Sequence, residues 1–220
     1  MIRPHRTLSG PVQRTKSGSS PQQLFFILHG WGSDGSDFLD LATSWSHNFP
    51  NAEFHMPNGP DVCSQNPNGY QWFSLDSPDP DSMFQGAERA AQIVEDNIVE
   101  ICKNLQISPK NVVIFGFSQG GMLALHIALT RSHICKAVAC YSGQLIKIPD
   151  KSEEEKIPIL LIHGENDDVI PIETMLETHG QLKKINIPLE AYRMINLGHS
   201  INEAGINLGR KFFKQHLTKG

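Results

Sequence analysis

No apolar run in this chain is longer than a strand, so no segment reads as a helix able to cross a membrane. The opening residues, Met1-Ile2-Arg3-Pro4-His5-Arg6, lack the apolar stretch of a secretory signal. Lysine and arginine never form a block longer than a pair, and the net charge is -4, so electrostatics give no case for a nucleic-acid partner. Cysteine is scarce. Cys63, Cys102, Cys135 and Cys140 show no metal-type pairing and read as reduced thiols, which makes the expected location cytoplasmic. The 10 histidines include no pair with the helical or hairpin spacing and further ligands that zinc needs, so neither a metal nor a cofactor is expected. Internal repeats are absent. With 220 residues, 39% of them hydrophobic, the chain can fill one core, and residues 1–220 are expected to form one domain.

What is present is an alternation of strand-like and helical patterns, the order of a mostly parallel sheet with helices on both faces. Leu24 to Leu28, Val112 to Phe115, Ala137 to Tyr141 and Ile159 to Ile162 are nearly continuous apolar runs, as strands buried on both sides require. Phe84, Ala87, Ala91, Val94, Ile98, Ile101 and Leu105 recur at helical spacing and form a core stripe, with Pro109 beyond its end. A last strand is expected near Leu189 to Met194 and a last helix from about Ile201 to Leu217. Residues 1–22 read as an N-terminal strand and turn region, in which the Ser-, Gly- and Lys-rich stretch 14–22 suits a solvated turn or hairpin tip.

One motif stands at a junction of these elements. Gly116-Phe117-Ser118-Gln119-Gly120 follows a buried-type strand and precedes the helical pattern of Met122 to Leu129. Ser118 at such a tight strand-to-helix turn is exposed and backbone-strained, and the glycines allow strand and helix to pass closely. A serine hydroxyl is a weak nucleophile, so this reading requires a histidine base and an acid to orient it, in the chain order Ser, acid, His. His163-Gly164-Glu165-Asn166-Asp167-Asp168 follows one strand, and Asn196-Leu197-Gly198-His199 follows the next. Both therefore fall at the carboxyl edge of a parallel sheet, where ligands bind. His199 is the candidate base. Asp167 and Asp168 are neighbours whose side chains diverge, so one of the two is the acid.

The reaction also needs two N–H groups aimed at a developing oxyanion. Gln119 supplies one, from the first turn of a helix. The other falls in His29-Gly30-Trp31-Gly32-Ser33-Asp34-Gly35, directly after the first apolar strand, with Trp31 N–H the first choice and Gly32 the second. His29 reads as support for that loop.

Taken together, His29-Gly30-x-Gly32-x-x-Gly35, Pro57-Asn58-Gly59-Pro60, Gln71-Trp72-Phe73, Gly116-Phe117-Ser118-Gln119-Gly120-Gly121, His163-Gly164-x-x-Asp167 and Gly198-His199 resemble the phospholipase/carboxylesterase family, which includes acyl-protein thioesterases. The likeness runs from about Leu24 to Leu217 and is strongest to the bacterial carboxylesterase branch. It implies a single-domain α/β-hydrolase fold without a large cap, and it makes Asp167 the acid. The function it implies is a serine carboxylesterase acting on small to medium acyl groups. The alternatives are an acyl-protein thioesterase or lysophospholipase taking longer chains, and a catalytically silent fold that only binds a ligand. The partner is then a small-molecule or acyl-ester substrate, and monomer and homodimer both fit the sequence. Residues 57–83, rich in proline and poor in periodicity, read as a lid-like loop whose Tyr70, Trp72 and Phe73 would either face an acyl group or anchor the loop to the core, the two readings weighing equally for Trp72. Its acidic residues, Asp76, Asp79 and Asp81, argue against a long acyl chain.

Overall fold

The computed structural model describes residues 6–77, 79–150 and 155–217, and every structural statement below concerns these. Residues 1–5 of the expected N-terminal region and Pro78 of the expected lid lie outside the described residues. In chain order the elements are β1 (Val12–Gln13), β2 (Gln23–Leu28), α1 (Leu39–Ser46), β3 (Ala52–His55), β4 (Asp61–Val62), β5 (Tyr70–Gln71), α2 (Pro80–Leu105), β6 (Val112–Phe117), α3 (Gln119–Thr130), β7 (Ala137–Tyr141), β8 (Ile159–Gly164), α4 (Ile172–Lys184), β9 (Leu189–Met194) and α5 (Glu203–Leu217).

Seven of these strands form one sheet in the order β1-β3-β2-β6-β7-β8-β9. All neighbours are parallel except β1, which runs antiparallel to β3 with Val12 opposite His55. The alternation within β2 shows why its run is continuously apolar. Leu24, Phe26 and Leu28 face one core, shared with α2, α3 and α4, while Phe25 and Ile27 face a second, shared with α1 and α5. The second core is aromatic, with Phe25 packed against Trp45, Phe49, Phe54 and Phe213. α5 reaches this face only because Gly209 has no side chain. A Cβ there would lie 2.0 Å from the Tyr141 hydroxyl, which donates to Gly205 O at 2.8 Å.

Helix ends follow local chemistry. α2 starts at Pro80 with the Asp79 carboxylate accepting the Ser82 N–H at 2.9 Å, and it stops at Gln106 in the left-handed region with φ 57°.

Of the two expectations for residues 14–22 the solvated turn holds and the hairpin tip does not, because β1 pairs with β3 and not with β2. The expected loop 57–83 contains regular structure. Residues 80–83 belong to the first turn of α2, and β4 pairs antiparallel with β5 as a small hairpin off the main sheet. Among the described residues pairing outside the main sheet is confined to this hairpin and an isolated antiparallel bridge between Ser33 and Tyr70, and no cap domain is present.

Candidate active site

Ser118 sits between the end of β6 and the start of α3 with φ 54° and ψ -118°, a backbone state that costs about 1–3 kcal/mol for a non-glycine residue. Two contacts hold it there: its N–H donates to Tyr141 O at 2.8 Å, and its carbonyl accepts the Met122 N–H at 3.0 Å. The flanking glycines are required by space. A Cβ on Gly116 would meet Gly120 O at 2.2 Å, and one on Gly120 would meet Leu28 O at 2.2 Å. The sharp turn and close packing lift the hydroxyl above the carboxyl ends of the strands.

His199, in the loop after β9, places Nε2 3.0 Å from Ser118 Oγ. Its Nδ1 lies 2.8 Å and 3.0 Å from the two oxygens of Asp167, in the loop after β8. A carboxylate can only accept, so Nδ1 carries the proton and Nε2 presents a lone pair to the serine hydroxyl. The imidazole is packed against Phe117, ring centroids 4.9 Å apart, and its side chain is 16% exposed. The two loops are tied together by Asn166 N–H donating to Leu197 O at 2.9 Å.

The Asp167 side chain is fully buried. Burial pushes its carboxyl upward, but hydrogen bonds from Ile170 N–H, His199 and Val169 N–H outweigh it and hold the group below the ordinary carboxylate range. Its Oδ1 accepts from Val169 and Ile170 at 3.0 and 2.8 Å. Asp168, the other acidic candidate, is exposed. His163, to which the sequence reading gave no role, is buried beneath this loop. Its Nε2–H donates to Ile170 O at 2.7 Å and stands 3.3 Å from Asp167 Oδ2. Burial lowers the pKa of this ring, which keeps it neutral, and its Nδ1 has no partner.

The loop after β2 passes beside the serine, since a Cβ on Gly30 would lie 3.4 Å from Ser118 Cβ. Gly32 N–H is committed to Tyr70 O at 2.9 Å. Trp31 N–H has no acceptor among the described residues, and Gln119 N–H lies in the first turn of α3, where no intrahelical acceptor exists. His29 is fully buried and occupied by backbone, with Nδ1–H donating to Gly30 O at 2.7 Å and Nε2 accepting Gly59 N–H at 2.8 Å.

A cleft of about 360 Å³ opens on Ser118 and His199, with Trp31, Phe38, Phe117 and Ile201 as apolar walls and Asp37 at its edge. Tyr70, Trp72 and Phe73 do not line it. Trp72 and Phe73 are 0% exposed, and both belong to the core shared with α2 and α3, so the expected acyl-facing surface is not formed by them. Tyr70 is half-buried and pairs with Ser33. Among the described residues no cluster of His, Cys, Asp or Glu could hold a metal ion, and no helix is long and apolar enough to cross a membrane.

Serine, imidazole and carboxylate in this order, beside two uncommitted N–H groups, can transfer an acyl group through a covalent intermediate. Comparison with known proteins agrees in kind. A family model described as Phospholipase/Carboxylesterase matches residues 12–217. The crystal structure of esterase PE8 is 33% identical in sequence with a TM-score of 0.88, covering 96% of this chain and 100% of its own. Acyl-protein thioesterase 1 homolog 2 from Dictyostelium discoideum is 26% identical over 223 residues, 93% of this chain and 97% of that protein. A probable inactive carboxylesterase from Oryza sativa subsp. japonica is 26% identical over 196 residues, 83% of this chain and 80% of that protein.

Proposed function

The chain belongs to the phospholipase/carboxylesterase family of serine hydrolases, and from that premise we propose that it hydrolyses carboxylic esters of small to medium acyl groups. The observation that carries this reading is the continuous path from Ser118 Oγ through His199 to buried Asp167, with heavy-atom distances of 3.0 and 2.8 Å. The preference for shorter acyl groups is supported by a cleft of about 360 Å³, near the lower end of the roughly 300–1,000 Å³ usual for ligand sites.

In this reading His199 Nε2 takes the hydroxyl proton as Ser118 Oγ bonds to the ester carbonyl carbon. The carbonyl oxygen becomes an oxyanion held by the Trp31 and Gln119 N–H groups, and Asp167 holds the imidazolium through its Nδ1–H. Collapse breaks the bond to the leaving alcohol, which departs with the proton from His199. Water then repeats the sequence on the acyl-enzyme, and the acid is released.

A thioester substrate with a longer chain is the second reading, and the likeness to an acyl-protein thioesterase homolog of Dictyostelium discoideum favours the thioester. The test is hydrolysis of p-nitrophenyl esters of increasing chain length by wild type and Ser118→Ala. We expect a loss of at least about a thousandfold in the variant and a maximum at short to medium chains. A maximum at long chains, or faster cleavage of an S-acyl peptide than of its oxygen ester, would establish the second reading. Equal background rates in both proteins, with no phosphonate labelling of Ser118, would establish a silent binding fold.

A further inference from the structure

Residues 70–73 make hydrogen bonds to both sides of the serine. Gly32 N–H donates to Tyr70 O at 2.9 Å and Tyr70 N–H to Ser33 O at 2.8 Å, so the loop carrying Trp31 is added to β5 as a short antiparallel partner. Gln71 Oε1 accepts the Trp31 indole N–H at 2.9 Å. Trp72 N–H donates to Gln119 Oε1 at 2.9 Å, and Gln119 Nε2 donates to Phe73 O at 2.7 Å. The Trp72 indole N–H then donates to His29 O at 2.9 Å, just upstream of the Trp31 loop. His29, Trp72, Phe73 and Gln119 are all 0% exposed, where water does not compete for these bonds.

Trp31 and Gln119 lie on different elements, and chain connectivity does not set the spacing between their N–H groups. That spacing matters, because an oxyanion is stabilised only by donors about 2.7–3.1 Å from where it forms. From these contacts we propose that the stretch 70–73 is a brace, with Gln71 as a positioning residue that holds Trp31 N–H at its working distance from Gln119 N–H. The inference rests on the assignment of those two groups as oxyanion donors. It gives the Gln-Trp-Phe segment a part in transition-state stabilisation without any contact to substrate.

Gln71→Met removes the acceptor at similar volume, whereas Gln71→Glu keeps one. With p-nitrophenyl butyrate, Gln71→Met should lower kcat roughly 10- to 100-fold, the range a misplacement of about 1 Å produces, with KM changed less than about threefold. Gln71→Glu should restore kcat to within about fivefold of wild type. Inhibition by phenylboronic acid, which forms a tetrahedral adduct on the serine, should weaken in Gln71→Met by a factor similar to the loss in kcat. In a double-mutant cycle, adding Trp31→Phe to Gln71→Met should cost little more in kcat than the worse single change, because both delete the Trp31–Gln71 bond and Gln71→Met removes besides it only the long 3.5 Å contact from Ser64 N–H. A folded Gln71→Met, with a cooperative melt and wild-type kcat, would overturn the brace if Ser118→Ala is inactive. Should Gln71→Met not fold, Trp31→Phe removes the same bond from the other side, and wild-type kcat there would equally overturn it. Retained activity in Ser118→Ala would instead remove the serine-hydrolase reading itself.

Discussion

Replacing Asp167 by asparagine probes the orientation of the base with almost no change in shape. The carboxylate accepts two backbone N–H groups at Oδ1, from Val169 at 3.0 Å and Ile170 at 2.8 Å, and His199 Nδ1–H at Oδ2 at 2.8 Å. An amide has one acceptor end. Turning its NH2 toward the loop would leave two donors facing donors, at about 1–3 kcal/mol each or roughly 2–6 kcal/mol in all. The amide oxygen therefore stays on the loop and the NH2 faces His199. Nδ1 must then be the acceptor, the ring proton moves to Nε2, and the lone pair that should receive the Ser118 proton is gone. We expect kcat/KM for a p-nitrophenyl ester at about pH 7.5 to fall by about 10³–10⁴. Asp168→Asn, at an exposed position, should stay within about twofold. Stability also responds. Because the folded pKa of Asp167 lies below its unfolded value, the ionised group stabilises the fold above the unfolded carboxyl's range, and this contribution is lost as pH falls through the folded value. The melting temperature of Asp167→Asn should therefore fall less steeply on acidification than that of wild type. An asparagine variant within tenfold of wild-type activity at pH 7.5, about neutral, would refute the tautomer argument.

Gly209→Ala should destabilise the fold by about 1–3 kcal/mol in thermal denaturation, since the added Cβ would lie 2.0 Å from the Tyr141 hydroxyl. Adding Tyr141→Phe should recover part of that loss, and no recovery would mean that the strain lies elsewhere. All four cysteines are buried free thiols, and burial pushes Cys102 up to about 11 and Cys140 up to about 12. A disulfide thiol reagent at neutral pH should label the native protein slowly and all four thiols after denaturation. Rapid native labelling of Cys102, Cys135 or Cys140 would contradict the packing around β7 and α2.

The parts of this site that could be read from the sequence are those that depend on local pattern. The apolar runs of β2, β6, β7 and β8 mark strands buried on both faces, and Ser118 is legible because a strand, glycines and a helix must meet in a narrow turn. β8 was seen two residues short, as Ile159 to Ile162, because His163 and Gly164 continue the pairing after hydrophobicity ends. β3, Ala52–His55, was not seen at all. It carries Glu53, whose buried carboxylate accepts from Arg14 and from the ring of His55, an arrangement that exists only after the sheet forms. The choice between Asp167 and Asp168 came from family pattern, and the physical reason for it is the pair of N–H groups that turn one carboxylate inward.

Trp72 and Phe73 show where composition leaves two readings open and the structure selects the core one. Aromatic residues in an irregular, proline-rich stretch suit a lid, but the sequence does not reveal where the neighbouring polar groups find partners. Gln119 is the deciding residue. Its side chain is buried at the foot of α3, and a buried amide needs both a donor and an acceptor. The Trp72 N–H and Phe73 carbonyl supply them, which draws the two aromatic rings into the core and away from the cleft. The polar satisfaction of one glutamine thus explains why the site has no lid formed by these rings, and why its walls are instead Trp31, Phe38, Phe117 and Ile201. If the proposed ester hydrolysis holds, acyl length is selected by those four residues, and changes at Trp72 should alter turnover through the loop carrying Trp31 and leave the preferred chain length unchanged.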